Sequence, residues 1–285
     1  MKIPKGLQPL IDDGIVDAVI RPLKSGKEAA VYLVECGGTI RCAKVYKEAE
    51  HRGFHKLAEY QEGRRARSSR DMRAMGSRSR HGRREQEVAW KNAEVDALYL
   101  LTAAGVRVPK PHGYFEGVLV MELIADADGN AAPRLNDVAP SAEQAREWHA
   151  FLMNQIVRML CVGLIHGDLS EFNVLLGEEG PVIIDLPQAV DAAGNNNAFR
   201  MLARDVDNIT NYCGRFAPEL LPTQYAFEIW QLFEHRQLRP DTELTGKFVH
   251  DLRPADVDGV MRQVFEARKE AEARQRGREA AEAAE

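Results

Sequence analysis

Two carboxylates and an amide fall close together in the chain. Asp168 and Asn173 stand five positions apart in the polar run HGDLSEFN (His166 to Asn173), and Asp185 closes the apolar run IID twelve positions after Asn173. A carboxylate at Asp168 can take the proton of an attacking hydroxyl. The amide oxygen of Asn173 and the carboxylate of Asp185 are hard ligands of the kind Mg2+ prefers, with phosphate oxygens and waters completing its shell. Phosphates also need a cation, and Lys44 supplies one from inside the apolar run Cys42-Ala43-Lys44-Val45-Tyr46. An ammonium there is costly unless paired. Glu94 and Glu87 are the candidate partners, and Glu94 lies deeper in the helical pattern. Together these are the parts that phosphoryl transfer from ATP requires. Singly, each acid or amide reads equally as a turn residue or helix cap, and Lys44 as an edge-strand lysine. The joint spacing, with strand signals on both sides, favours catalysis. His166 is expected to pack the loop near Asp168, not to act as the base.

The surrounding pattern supplies elements that can hold these groups. Leu7 to Ile11 reads as a short helix ending near Gly14, and Val16 to Leu23 as an extended lead-in to a turn at Ser25 and Gly26. Ala29 to Glu35 and Thr39 to Tyr46 are rich in β-branched and aromatic residues and flank Gly37-Gly38, which predicts a hairpin in a small antiparallel sheet. Between Gly63 and Arg84 nine arginines stand among Ser, Gly and Met without apolar periodicity, which predicts a loop. Glu85 to Ala104 regains helical spacing through Val88, Val95, Leu98 and Leu101, with Gly105 as its stop. Val108 to Pro111 reads as loop and Gly117 to Ile124 as a strand. The Asp/Gly-rich stretch Asp126 to Asn130 is the expected boundary between two lobes. Ser141 and Gln144 stand at capping-box spacing before a helix to Val162 with an apolar face through Trp148, Leu152, Ile156 and Leu160. Val174 to Leu176 and Val182 to Ile184 predict short strands around a Gly177 to Gly180 turn, helices follow Asn197, and residues 266–285 form an Ala/Glu/Arg tail.

The 285 residues suffice for one large two-lobed domain. A hydrophobic fraction of 45%, a charged fraction of 28% and a net charge of -5 give no global pull toward nucleic acid or membrane. Four scattered cysteines without a C-x-x-C pair, and the lack of a leader or a long apolar span, predict a cytoplasmic protein.

These motifs resemble the RIO kinases, an atypical branch of the protein kinase-like superfamily, and within it the RIO1-like group. The resemblance runs from about Leu7 to Asn211. Its carriers are SGKEAAVY (Ser25 to Tyr32), AKVYK around Lys44, AGVRVPKP (Ala104 to Pro111), LVMELI (Leu119 to Ile124), LIHGDLSEFNVL, IIDLPQAV and RDVDNIT (Arg204 to Thr210). It implies an α+β bilobal protein-kinase-like fold: an N-lobe over residues 1–124 with a small β-sheet plus helix, and a larger, mainly helical C-lobe over 125–265. It implies Asp168 as catalytic base, Asn173 and Asp185 as Mg2+ ligands, and Lys44 with Glu94 at the ATP phosphates. Ser25, Gly26, Lys27 and Glu28 would form the phosphate loop. Backbone groups of Glu122 and Ile124 would meet adenine behind a gatekeeper-like Met121. In such proteins the metal-loop aspartate can accept the phosphoryl group, which makes Asp185 a candidate aspartyl-phosphate and the protein an ATPase as much as a kinase.

Some features depart from ordinary protein kinases. Ser170 stands where those carry lysine, Leu186-Pro187-Gln188 replaces a DFG, no APE follows, and little chain separates Asp185 from RDVDNIT. The N-terminus is too short for the winged helix of the RIO2-like group. Two other functions remain open at this level. One is a small-molecule phosphotransferase of the aminoglycoside-kinase kind, which also uses an HGD loop. The other is a nucleotide-gated assembly factor holding RNA or a ribosomal precursor through Arg64 to Arg84, whose arginines suit backbone phosphates. Serines of that segment are candidate autophosphorylation sites.

Overall fold

The computed structural model describes residues 3–26, 29–47 and 93–248. Met1–Lys247 form one compact unit, and Phe248–Glu285 are assigned to a second. Lys27, Glu28, the arginine-rich segment 63–84, Glu87 and the tail 266–285 lie outside the described residues.

Five antiparallel strands, β1 (Ala18–Ser25), β2 (Ala29–Cys36), β3 (Thr39–Tyr46), β4 (Pro111–Phe115) and β5 (Val118–Glu122), form one sheet in the order β1-β2-β3-β5-β4. The extended lead-in is thus a full strand, paired with β2. Gly37 and Gly38 both have positive φ, 58° and 74°, as a two-residue hairpin turn twisted with its strands requires. β3 is central, between β2 and β5, which removes the edge-strand reading of Lys44. Strand alternation then divides β3. Ala43 and Val45 face a small core with Leu7, Leu10 of α1 (Gln8–Asp12), Val16, Val34, Val118 and Val120. Tyr46 belongs to the main core with Val95 and Leu98. That second face also carries Lys44.

Pro111 to Phe115 carries β4, where the sequence suggested loop as far as Pro111. The proline sits at the first position of an edge strand, the place where a missing N–H is tolerated. A helix, α2, covers residues 93–103. The remainder is mainly helical: α3 (Ala142–Cys161), α4 (Ala198–Gly214) and α5 (Tyr225–Glu234). At the start of α3 the Ser141 hydroxyl accepts from Gln144 N and the Gln144 side chain accepts from Ser141 N, the capping box expected. Leu152, Ile156 and Leu160 of α3 are buried against Met201, Leu202, Val206 and Ile209 of α4 in one continuous core.

Two small antiparallel pairs lie on this helical lobe. β6 (Leu164–Ile165) pairs with β9 (Val190–Asp191), and β7 (Val174–Gly177) with β8 (Gly180–Ile183). β6 and β9 are two residues each, too short for a sequence period to reveal. They matter because they frame two loops, 166–173 and 184–189. The whole is an α+β fold of a sheet lobe and a larger helical lobe, the protein-kinase-like arrangement.

Candidate active site

Lys44 reaches into the space between the two lobes. Its ammonium donates to Glu94 Oε1 and lies 3.7 Å from Asp185 Oδ1. Glu94 is 5% exposed and belongs to α2, and its second oxygen accepts from the Tyr46 hydroxyl at 2.8 Å. Lys44 and Tyr46 meet the same carboxylate because they are two residues apart on one strand. Of the two acids proposed for Lys44, Glu94 is therefore a partner.

At the end of β3, Lys47 Nζ donates to Gly26 O at 2.6 Å and to Ser25 Oγ at 3.1 Å. Gly26 N donates to Ala29 O, closing the turn between β1 and β2. The ammonium of Lys47 thus pins the turn in which Ser25 and Gly26 sit.

The loop carrying Asp168 is held from three sides. His166, 2% exposed, spans both loops: its Nδ1 accepts from Asp168 N at 3.3 Å and its Nε2 lies 3.1 Å from Ile184 O. Since Nδ1 accepts, Nε2 carries the proton and donates to the carbonyl, and the ring is neutral. Burial lowers its pKa, in agreement. Asn173 Nδ2 donates to Asp168 O at 2.9 Å, which leaves the amide oxygen as the end available to a cation. Ile184 N donates to Asn173 O at 2.9 Å and ties Asn173 to the strand end that carries Asp185. Asp185 has φ of 69°, a left-handed conformation that costs a non-glycine residue on the order of 1 kcal/mol or more. Its side chain is 52% exposed, turned out of the core and toward Lys44.

The third support comes from α4. Asp205, 1% exposed, accepts from Gly167 N at 2.7 Å and Leu169 N at 2.9 Å. Arg204 donates to Gly167 O, and Asn208 Nδ2 donates to Leu169 O at 2.8 Å. Burial is the main cause that pushes the Asp205 carboxyl up to about 7, against the two N–H donors and Arg204, which pull it down. The run RDVDNIT was legible as a helix, but Asp205 was not singled out. The signal available was Asp205 itself, an acid three or four positions from Met201, Leu202 and Ile209 and so on the apolar face of the helix. Gln188 was also missed; its Nε2 donates to Asp168 Oδ2 at 3.3 Å.

At the far end of β5, the Glu122 carboxylate accepts both legs of the Arg107 guanidinium at 2.9 Å each, together with Lys110 N at 3.0 Å. These bonds lower its pKa in spite of burial. Arg107 N donates to Gln155 Oε1 of α3 at 2.8 Å and its carbonyl accepts from Ile183 N at 2.9 Å. One residue of AGVRVPKP thereby connects β5, α3 and the hairpin before Asp185. Met121 pairs with Cys42 across the sheet, on the face that bears Lys44. Among the described residues no cluster of three His, Cys, Asp or Glu side chains is arranged to hold a metal ion. One amide oxygen and one carboxylate, with phosphate oxygens and waters for the rest, fit the shell a hard divalent cation takes in phosphoryl-transfer sites.

A central-strand lysine paired to a helix glutamate, facing an aspartate loop across from a D-x-x-x-x-N loop, defines a phosphotransferase of the protein-kinase type. Comparison narrows the class. A model of the RIO domain matches residues 30–226. The RIO-type serine/threonine-protein kinase Rio1 of Haloferax volcanii is 34% identical over 207 residues, covering 72% of this chain and 67% of that protein. The serine/threonine-protein kinase RIO1 of Homo sapiens is 29% identical over 227 residues, 77% of this chain but 37% of that protein. A crystal structure of a kinase domain aligns with a TM-score of 0.48 at 12% identity, over 92% of this chain and 86% of that chain. The chain belongs to the RIO family of serine/threonine protein kinases, in its RIO1-like group. Family membership brings ATP and a divalent cation with it, and does not favour the aminoglycoside-kinase or assembly-factor alternatives. Among the described residues, no helix is long and apolar enough to cross a membrane.

Proposed function

We propose that the chain transfers the γ-phosphoryl group of ATP, with Mg2+ as the cation, to a serine or threonine hydroxyl, one of its own included, and to water. The observation that carries this is the placement of the Lys44 ammonium between buried Glu94 and exposed Asp185. It supports Lys44 as the group that meets the phosphates, with Glu94 fixing its position. Asp168 orients the attacking hydroxyl and takes its proton. Asn173 and Asp185 would hold Mg2+, which offsets the charge on the phosphate oxygens. Ser25 and Gly26, with Lys27 and Glu28, cover the phosphates.

For adenine, the backbone supports one arrangement. The Glu122 N–H is committed to Lys110 O and the Ile124 carbonyl to Ala132 N. Recognition there falls to the Glu122 carbonyl and the Ile124 N–H, an acceptor and a donor, beside Met121. The exposure of Asp185 and its left-handed backbone support a second role as phosphoryl acceptor, giving an aspartyl-phosphate that water then hydrolyses. All four cysteines are free thiols, three of them buried, in keeping with a reducing cytoplasm.

Incubation with γ-labelled ATP and Mg2+, followed by separation of free phosphate from hydroxylamine-resistant and hydroxylamine-sensitive phosphoprotein, distinguishes the three products. Asp168→Asn should lose transfer by about 100-fold or more while keeping ATP binding. Unchanged turnover in that variant would remove Asp168 from the mechanism. Asp185→Asn should abolish any hydroxylamine-sensitive adduct, the mark of an acyl phosphate.

A further inference from the structure

We propose that Tyr46 is a positioning residue for phosphoryl transfer: its buried hydroxyl holds Glu94, so that the carboxylate stays in place when the nucleotide draws on Lys44. The inference rests on the assignment of Lys44 to the phosphates. It begins from the division of one carboxylate between two donors. Lys44 donates to Glu94 Oε1, and Tyr46 donates to Oε2 at 2.8 Å. The two oxygens of a carboxylate have separate lone pairs, so neither donor displaces the other.

Lys44 alone would be an unreliable tether. Its ammonium is already within 3.7 Å of Asp185, and phosphates and a metal-bound carboxylate compete for the same cation. Each shift of Lys44 toward the nucleotide weakens its bond to Glu94. Tyr46 is held more firmly. It is 7% exposed, its ring lies edge-on to Tyr114 with centroids 6.4 Å apart, and its strand is held by neighbours on both sides. Burial, and next the adjacent Glu94 charge, raise its pKa well above the ordinary tyrosine range, so it remains a donor at every working pH. Among the described residues Glu94 is thus held from β3 by a movable donor, Lys44, and by a fixed one, Tyr46. The fixed one acts on the nucleotide only through Glu94, which makes Tyr46 a positioning and not a catalytic residue.

The test is a double-mutant cycle on ATP turnover with Tyr46→Phe, Glu94→Gln and the double variant, alongside thermal melting. A buried hydrogen bond to a charged acceptor is strong enough that its loss should lower kcat/KM for ATP about tenfold, mostly through KM. In the Glu94→Gln background the same change should have little further effect. Additive losses, or Tyr46→Phe within twofold of wild type in kcat/KM with only a lower melting temperature, would overturn the proposal. Lys44→Met is the control: if it turns over ATP normally, the assignment of Lys44 fails, whatever Tyr46 does. Should Tyr46→Phe not fold, 3,5-difluorotyrosine at position 46 keeps the shape with a more acidic hydroxyl. The stronger donor should tighten the hold on Glu94 and lower the KM for ATP by about twofold at neutral pH; a KM unchanged from wild type refutes the idea.

Discussion

Asp205→Asn is the substitution that most directly tests how the Asp168 loop is held. The change preserves volume and removes one oxygen. In the native arrangement the two carboxylate oxygens accept from Gly167 N at 2.7 Å and Leu169 N at 2.9 Å, on either side of Asp168. An asparagine keeps one acceptor and turns an NH2 toward the other N–H, so a buried donor loses its partner. That costs about 1.5 to 3 kcal/mol, which, if it is relieved by displacing the loop, corresponds to a loss of roughly 10- to 100-fold in kcat. Global stability should change less, because the amide also escapes the burial that pushes the acid up to about 7. The sign of the pH effect follows. A carboxyl raised in the fold contributes stability that is fully present below its unfolded value near 3.8 and is lost as pH rises through about 7. Asp205→Asn should remove that downward slope from urea midpoints measured across this range. The assay is single-turnover transfer from γ-labelled ATP, with nucleotide binding and melting measured on the same preparation. A kcat within twofold of wild type would show that α4 does not position Asp168.

Three further outcomes are expected. Gln188→Glu places a second carboxylate where an amide donates to Asp168 Oδ2, so the acidic limb of the kcat/KM profile should move up by about one pH unit; an unmoved limb means the contact is idle. Arg107→Ala and Glu122→Ala break a two-legged pair about 30% exposed on each side, and the cycle in denaturant should give a coupling of about 1 kcal/mol, with a raised KM for ATP. A coupling near zero would reduce Arg107 to a surface residue. His149, 1% exposed and bonded to Thr210, has its pKa lowered by burial to about 4. Its contribution is intact above the unfolded value near 6.5 and is lost as pH falls toward 4. His149→Gln should flatten that acid-side loss, worth roughly 3 kcal/mol, in urea midpoints.

What could be read from the chain alone was local. The alternation of Cys42 to Tyr46 already implies that Lys44 and Tyr46 share a face, because side chains two apart on a strand always do. The capping box at Ser141 follows from a three-residue spacing, and the D-x-x-x-x-N loop from one of five. His166 is expected to pack the loop near Asp168, and the neutral ring between Asp168 N and Ile184 O is that role. Strands of two residues, β6 and β9, have no period to detect, and β4 was obscured by its opening proline.

The remaining facts depend on distance across the fold. Glu94 meets Lys44 fifty positions away because α2 packs on one face of the sheet, in line with the preference for Glu94 over Glu87 read from its depth in the helical pattern. Asp205 reaches Gly167 and Leu169 only because α3 and α4 share one core, which sets the buried face of α4 against the loop. The sequence by itself determined which groups could do the chemistry and which face of each strand or helix they occupy, since those follow from backbone periodicity. Tertiary structure alone decided the contacts the pattern could not show, such as Tyr46 with Glu94 and Asp205 with the Asp168 loop, because those are fixed by how the elements pack and by the burial that follows.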